Sequence, residues 1–376
     1  MLREPGVLRP AVSASLPEFP WDTLVDAKAL AEAHPDGIVD LSVGTPVDPV
    51  APLIREALAV ASSAPGYPAT AGTARLREAA VAALERRFGI TGLTEAAVLP
   101  VIGSKELIAW LPTLLGLGAA DVVVVPELAY PTYDVGARLA GARVLRADSL
   151  TQLGPQIPAL FYLNSPSNPT GRVLGVDHLR KVVGWARQPG REKGPVLASD
   201  ECYLGLGWDS QPFSVLHPAV CDGDHTGLLA IHSLSKSSSL AGYRAGFVAG
   251  DPALVAELLA VRKHAGMMVP TPVQAAMVAA LEDDAHERLQ RERYERRRAA
   301  LLPALRAAGF TVDDSEAGLY LWATRGEACQ DSVRWLATRG ILVAPGEFYG
   351  PRGARHVRVA LTATDERIAA AVRRLS

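Results

Sequence analysis

Along the middle of the chain, short runs of consecutive apolar residues alternate with stretches of helical periodicity. DVVVV (121–125), ALFYL (159–163), PVLAS (195–199), LLAIH (228–232) and GFVAG (246–250) show little apolar–polar alternation. That pattern suits strands covered on both faces, as in a largely parallel sheet. Helical spacing falls between them, at 105–115, 133–139, 176–187 and 252–264. Strand and helix in turn predict an α/β layered domain with right-handed crossovers. Past about residue 265 the texture changes. A long charged helical stretch over 272–308 precedes FTVDD, GLYLWA, a helix near 332–339, ILVAP, HVRVAL and a final helix. This order predicts a smaller α+β unit, with the N-terminal segment packed on it.

Within the charged stretch, RLQRERYERRRAALLPALR (288–306) interleaves arginine with glutamate, and Leu289, Leu301, Leu302 and Leu305 can supply an apolar stripe. It reads as a solvated amphipathic helix, not a nucleic-acid surface. The length of 376 residues predicts two domains, and a hydrophobic fraction of 49% is ample for their cores. A net charge of −2 gives no broad pull toward nucleic acid or an anionic membrane. Cys202, Cys221 and Cys329 lie far apart, so a disulfide framework is not expected and a reducing cytoplasm is the natural home. The N-terminus is broken by prolines and has no signal-like apolar core. The most apolar stretch, 107–125, contains Pro112, two glycines and Asp121, and reads as helix, turn and strand instead of a membrane span.

Ligands of open α/β sheets bind at the C-terminal ends of the strands. NSPSNPTG (164–171), DECY (200–203) and SLSKSSSLAGYRAG (233–246) follow three of the predicted strands. An amide, a carboxylate, a phenol, hydroxyls, a lysine and an arginine therefore converge. There is no G-x-G-x-x-G, P-loop or H-E-x-x-H, and the eight histidines lack metal-ligand spacing, so no metal is expected. Lys236 follows a buried strand, with Arg244 eight residues on. Desolvation and a nearby cation both favour its neutral, nucleophilic amine; from the residue alone, a surface loop lysine is an equal alternative.

The ordered set S-L-S-K-x7-R-x-G, preceded by D-x-x-Y and N-P-T-G, resembles the fold-type I, pyridoxal 5'-phosphate-dependent aminotransferases of class I/II, over roughly residues 39 to 361. The resemblance implies a large domain with a mostly parallel mixed sheet between helices (44–265), a smaller α+β domain (266–376) and an N-terminal arm (1–43) packing with it. It implies that Lys236 holds the cofactor aldehyde as a Schiff base and then shuttles the substrate proton, that Asp200 faces the pyridine nitrogen, and that Asn168 and Tyr203 bond the ring's phenolic oxygen. Cys202 reads as a packing residue. Ser233 and Arg244, with Gly103, Ser104 and the Lys105 amide at a helix start, would hold the phosphate, Ser235 being a further donor. Tyr130 would stack on the ring. Tyr67, in GYPATAGTARLREA, would reach the neighbouring subunit's phosphate, making the active unit a homodimer with shared sites. Arg358 would clamp the substrate α-carboxylate, and Gly44 would let the backbone approach it.

FPWDTL, IGSKE and the compact length are similar to bacterial N-succinyldiaminopimelate aminotransferases, which exchange an amino group between glutamate and a succinylated keto acid on the route to lysine. Arg75 and Arg77 are candidate cations for distal carboxylates. An aminotransferase for aspartate, aromatic or branched substrates would share every motif. A cysteine-S-conjugate β-lyase of the same fold, or a regulator's effector domain, are further alternatives; the latter expects a DNA-binding domain ahead of LSVGTP.

Overall fold

The computed structural model describes residues 11–188 and 194–376. A seven-stranded sheet runs in the order Val98–Ile102, Ala245–Gly250, Leu228–Ser233, Val196–Asp200, Leu160–Asn164, Val122–Val125, Arg143–Arg146. The last five are parallel, whereas Ala245–Gly250 is antiparallel to both neighbours. The continuous apolar runs have a simple cause. Val122, Val124 and Leu197 face one core, with the helices Ala74–Phe88, Val176–Ala186 and Thr271–Glu282. Val123, Val125 and Ala198 face another, with Ser104–Leu114, Thr132–Leu139 and Pro252–Ala265. A strand covered on both sides has no polar face to alternate with.

Two strands of this sheet lay outside the sequence reading. Val98–Ile102 carries Pro100, which argues against a strand but is tolerated at the sheet edge this strand occupies. Arg143–Arg146 is the other edge, only partly buried, and its flanking arginines hide its character.

The stretch expected as one helix over 272–308 is two, Thr271–Glu282 and Asp284–Ala307. They break at Asp283, whose extended backbone and carboxylate, accepting the His286 amide at 2.8 Å, start the second. The first helix, apolar apart from Thr271, Gln274 and its last residue, buries Ala276, Met277, Ala280 and Leu281 in the core of the large sheet. The second buries Tyr294, Leu301 and Leu305 in the smaller core. The chain therefore changes cores at Asp283, not near residue 265. The arginine-rich face is not wholly solvated either. Arg297 is buried and its Nη atoms donate to Asp48 at 2.6 and 2.9 Å, while Leu289 is exposed.

The smaller core surrounds an antiparallel sheet ordered Ala344–Pro345, Val357–Ala360, Tyr320–Thr324, Thr311–Asp313. The N-terminal helix Val25–Glu32 packs on Cys329–Ala337, and Val39–Asp40 pairs in parallel with Ile341–Leu342. Among the described residues no helix is long and apolar enough to cross a membrane, and no cluster of His, Cys, Asp and Glu is placed to hold a metal.

Candidate active site

Three parallel strands end side by side at Asn164, Asp200 and Ser233. Asp200 is buried, and its carboxylate accepts the Tyr133 hydroxyl at 2.7 Å and the Cys202 amide at 3.1 Å. Burial pushes its pKa up, opposed by the donors from Cys202 and Tyr133. The Cys202 thiol is driven well above its ordinary range by burial and by Asp200, so it is no nucleophile. Asn164 donates to the Asp200 carbonyl at 3.0 Å and accepts the Asn168 amide at 2.8 Å, which folds the Asn168 loop back over the strand ends.

Lys236 lies in the one-turn helix Leu234–Ser237, whose cap is Ser233. Its Nζ donates to the Gly44 carbonyl, and its own carbonyl accepts the Tyr294 hydroxyl at 3.1 Å. Burial lowers its pKa, helped by Arg358 and Arg244, against Tyr320 and Cys202. The amine is held by a neutral oxygen, without a carboxylate partner among the described residues, which favours its nucleophilic form.

Gly103 precedes the eleven-residue helix Ser104–Leu114 with φ 79°, and a Cβ there would lie 2.3 Å from an Arg244 nitrogen. Glycine at this position thus serves two ends: the backbone turn, and the approach of the guanidinium to the helix start. No side chain caps that helix, so its first amides remain available to an anion. Ser233 and Ser235 stand at the neighbouring strand end, the Ser233 hydroxyl accepting the Ser235 amide at 3.2 Å.

Arg358 is buried on the small sheet. Its Nη1 donates to Asn168 Oδ1 at 2.9 Å, its Nη2 to the Ser42 carbonyl at 2.7 Å, and its Nε has no protein partner. The guanidinium lies 4.0 Å from the Tyr320 ring centroid and 5.0 Å from that of Tyr349. Tyr320 in turn meets Tyr203, hydroxyl to hydroxyl, at 3.1 Å. Burial works to raise the Tyr320 pKa, but Arg358, Lys236 and Tyr203 outweigh it and bring it down. A Cβ on Gly44 would lie 2.1 Å from the Tyr320 hydroxyl, so no larger residue fits.

The structure thus gathers Gly44, Asn168, Asp200, Tyr203, Ser233, Lys236 and Arg358 about the strand ends, with Gly103, Ser104 and Arg244 beside them. Tyr130 flanks them in a cluster with Trp322 and Tyr349. Lys105 is exposed, but its ammonium lies over the rings of Phe19 and Tyr130, at 5.5 and 5.6 Å, instead of extending freely into solvent. Tyr67 is 97% exposed and takes no part in its own chain's site. Arg75 pairs with Glu282, and Arg77 donates to the Gly72 carbonyl at 2.7 Å. Tyr133 and Tyr320 escaped the sequence reading. The spacing of Tyr130 and Tyr133 in YPTY could have flagged the first, since one turn of helix brings the second ring inward.

A carboxylate set behind an amine held by a backbone carbonyl, beside a cationic and amide-lined cup, matches pyridoxal phosphate in three of its parts: ring nitrogen, aldehyde and phosphate. This site, on a mixed α/β sheet with a small C-terminal unit, defines a pyridoxal-phosphate-dependent transaminase of fold type I. The chain belongs to the family described as aminotransferase class I and II, which it matches over residues 36–375. It is 84% identical over 368 residues to a probable aminotransferase of Mycobacterium tuberculosis, covering 98% of this chain and 87% of the relative. It is 60% identical over 361 residues to the 4-dedimethylamino-4-oxo-anhydrotetracycline transaminase of Streptomyces rimosus, covering 96% and 99%. A solved structure of a probable N-succinyldiaminopimelate aminotransferase from Thermus thermophilus superposes with a TM-score of 0.84 at 29% identity, covering 95% of this chain and 99% of that one.

Proposed function

We propose that this aminotransferase moves an amino group between glutamate/2-oxoglutarate and N-succinyl-LL-2,6-diaminopimelate or its keto acid, with Lys236 as the amine that carries the chemistry. The observation behind the catalytic part is the buried Lys236 Nζ, held by the Gly44 carbonyl, with Asp200 at the end of the adjacent strand. Pyridoxal phosphate, when bound, supplies an aldehyde that condenses with amines and a ring that withdraws electrons from the substrate Cα. Asp200 holds a proton at the ring nitrogen, and Tyr133 orients that carboxylate. Lys236 Nζ takes and returns the proton at the substrate Cα. Arg358 binds the α-carboxylate, with Asn168 and the Ser42 carbonyl fixing its fork. Ser233, Arg244 and the amides following Gly103 bind the phosphate. Tyr67, projecting from the surface, reaches the site of a second subunit in a homodimer.

The substrate part is supported by the Thermus thermophilus resemblance and by the FPWDTL and IGSKE segments. A second reading, amination of a bulky cyclic ketone, is favoured by the 60% identity to the Streptomyces rimosus transaminase across nearly its whole length. A donor and acceptor panel separates them: glutamate with the succinylated keto acid should give the highest kcat/KM. Turnover confined to ketones without an α-carboxylate would replace the first reading with the second. Borohydride should fix the cofactor to Lys236, and a label found on any other lysine would refute its role.

A further inference from the structure

On the face of the sheet covered by helices Ala74–Phe88 and Thr271–Glu282, directly behind Asp200, lies a small cavity with about 50 Å³ open to the centres of water molecules. That is room for more than one water. Glu201 and His232 border it from adjacent strand ends, with side chains 0% and 7% exposed. Glu201 Oε1 accepts the Val215 amide at 2.8 Å, and the Ser214 and Ser199 hydroxyls also act on the carboxylate, whereas Glu201 Oε2 and His232 Nε2 have no partner in good hydrogen-bonding geometry. These two atoms stand 3.8 Å apart. The gap is too long for a direct hydrogen bond, and it is the span that one water closes when it sits about 2.8 Å from each.

We propose that this cavity holds a water bridging Glu201 Oε2 and His232 Nε2, and that the bridged pair makes Glu201 a positioning residue for Asp200. The inference rests on the role proposed for Asp200. Glu201 and Asp200 are successive, so their side chains leave the strand on opposite faces. Glu201 ties that strand end to the Val215 loop and, through the water, to His232, which precedes Ser233 and Lys236 by one and four residues. The bridge thus fixes the spacing between the carboxylate and the amine that act on the same ring. Burial carries Glu201 up to about 7 and His232 down to about 3, so the pair is neutral in mildly acidic solution. Asp200 and Cys202 flank Glu201 on its own strand end. Arg87, from helix Ala74–Phe88, and Glu287, from helix Asp284–Ala307, border the cavity as an ion pair at 2.5 Å.

The test compares holoenzyme carrying Glu201→Leu, Glu201→Gln and Asp200→Asn. Leucine fills the space without bonding water, and should lower kcat roughly tenfold and shift the visible band of the bound cofactor. Glutamine can still hold the bridge and should recover most of that loss. Wild-type kcat and spectrum in the leucine variant would overturn the inference. If that variant fails to fold, His232→Phe, which can stack on Phe247, should reproduce the loss, and an unaltered band would be equally fatal. On the apoprotein at mildly acidic pH, infrared spectroscopy should show a protonated-carboxyl band that Glu201→Gln removes; a wild type without it counts against the bridged neutral pair. Loss in Asp200→Asn with a silent Glu201→Leu removes only this inference. A silent Asp200→Asn removes the reading of Asp200 and this inference with it.

Discussion

The Tyr133 hydroxyl donates to Asp200 Oδ2 at 2.7 Å, from a ring that is itself fully buried against Tyr162 at a centroid distance of 4.9 Å. Burial and the neighbouring Asp200 push the Tyr133 pKa well above its ordinary value, so the phenol stays a donor across the working pH range. The bond counters the burial that drives Asp200 toward its neutral form.

Tyr133→Phe should therefore lower kcat about tenfold and reduce the affinity for the cofactor, because a hydrogen bond to a charged group contributes roughly 1.5–3 kcal/mol. Tyr162→Phe is the control: its hydroxyl donates to the Ile108 carbonyl at 3.0 Å, and the loss should appear in thermal stability and not in kcat. Equal kcat in Tyr133→Phe and wild type would show that Asp200 does not depend on this donor.

Arg358 is engaged before any substrate arrives. Both Nη atoms already anchor it, to Asn168 and to the Ser42 carbonyl, and the fork leans on Tyr320. A lysine at this position keeps the charge but cannot make two anchors and still face a carboxylate with a planar pair of donors. Arg358→Lys should raise KM for both amino and keto acids by roughly tenfold to a hundredfold, with a smaller effect on kcat, because the clamp grips ground and transition states alike. Unchanged KM values in steady-state kinetics would remove Arg358 from the substrate site.

Much of this site could be read from the chain because its groups sit at strand ends. A buried parallel strand announces itself as an apolar run, and the polar residues that follow it must line the carboxyl edge of the sheet. Asn168, Asp200, Ser233 and Lys236 all belong to that class. What stayed hidden depends on contacts between distant segments. Tyr320 opens an apolar strand buried over its first four residues, and only the fold lays Arg358 across its ring, 38 residues away in sequence. Glu201 stands beside Asp200 in the sequence, but its meaning comes from His232 on the next strand and from the cavity between them. The misplaced core boundary has a similar origin. Residues 271–282 and 284–307 are both helical, and periodicity does not reveal which core each helix joins.

Glu201 also makes a prediction about stability that needs no cofactor. Its ordinary pKa of 4.5 rises to about 7 in the folded protein, chiefly through burial. Between those values the unfolded chain has lost the proton and the folded chain keeps it. The unfolded state therefore binds fewer protons, and stability falls as pH rises. The contribution is complete below pH 4.5 and is lost by about pH 7, a change on the order of 3 kcal/mol. His232 has the opposite slope. Its pKa falls from 6.5 to about 3, so its share of stability is lost as pH drops through that interval, and the two effects offset where they overlap. Glu201→Gln retains the histidine slope and removes the carboxyl slope, so the difference between variant and wild type isolates Glu201. In urea unfolding of the apoproteins, the variant should gain on the wild type steadily from pH 4.5 to about 7 and then hold a constant lead. A difference independent of pH over that range would mean that Glu201 is ionised throughout, and that its carboxylate is satisfied by partners other than the bridge to His232.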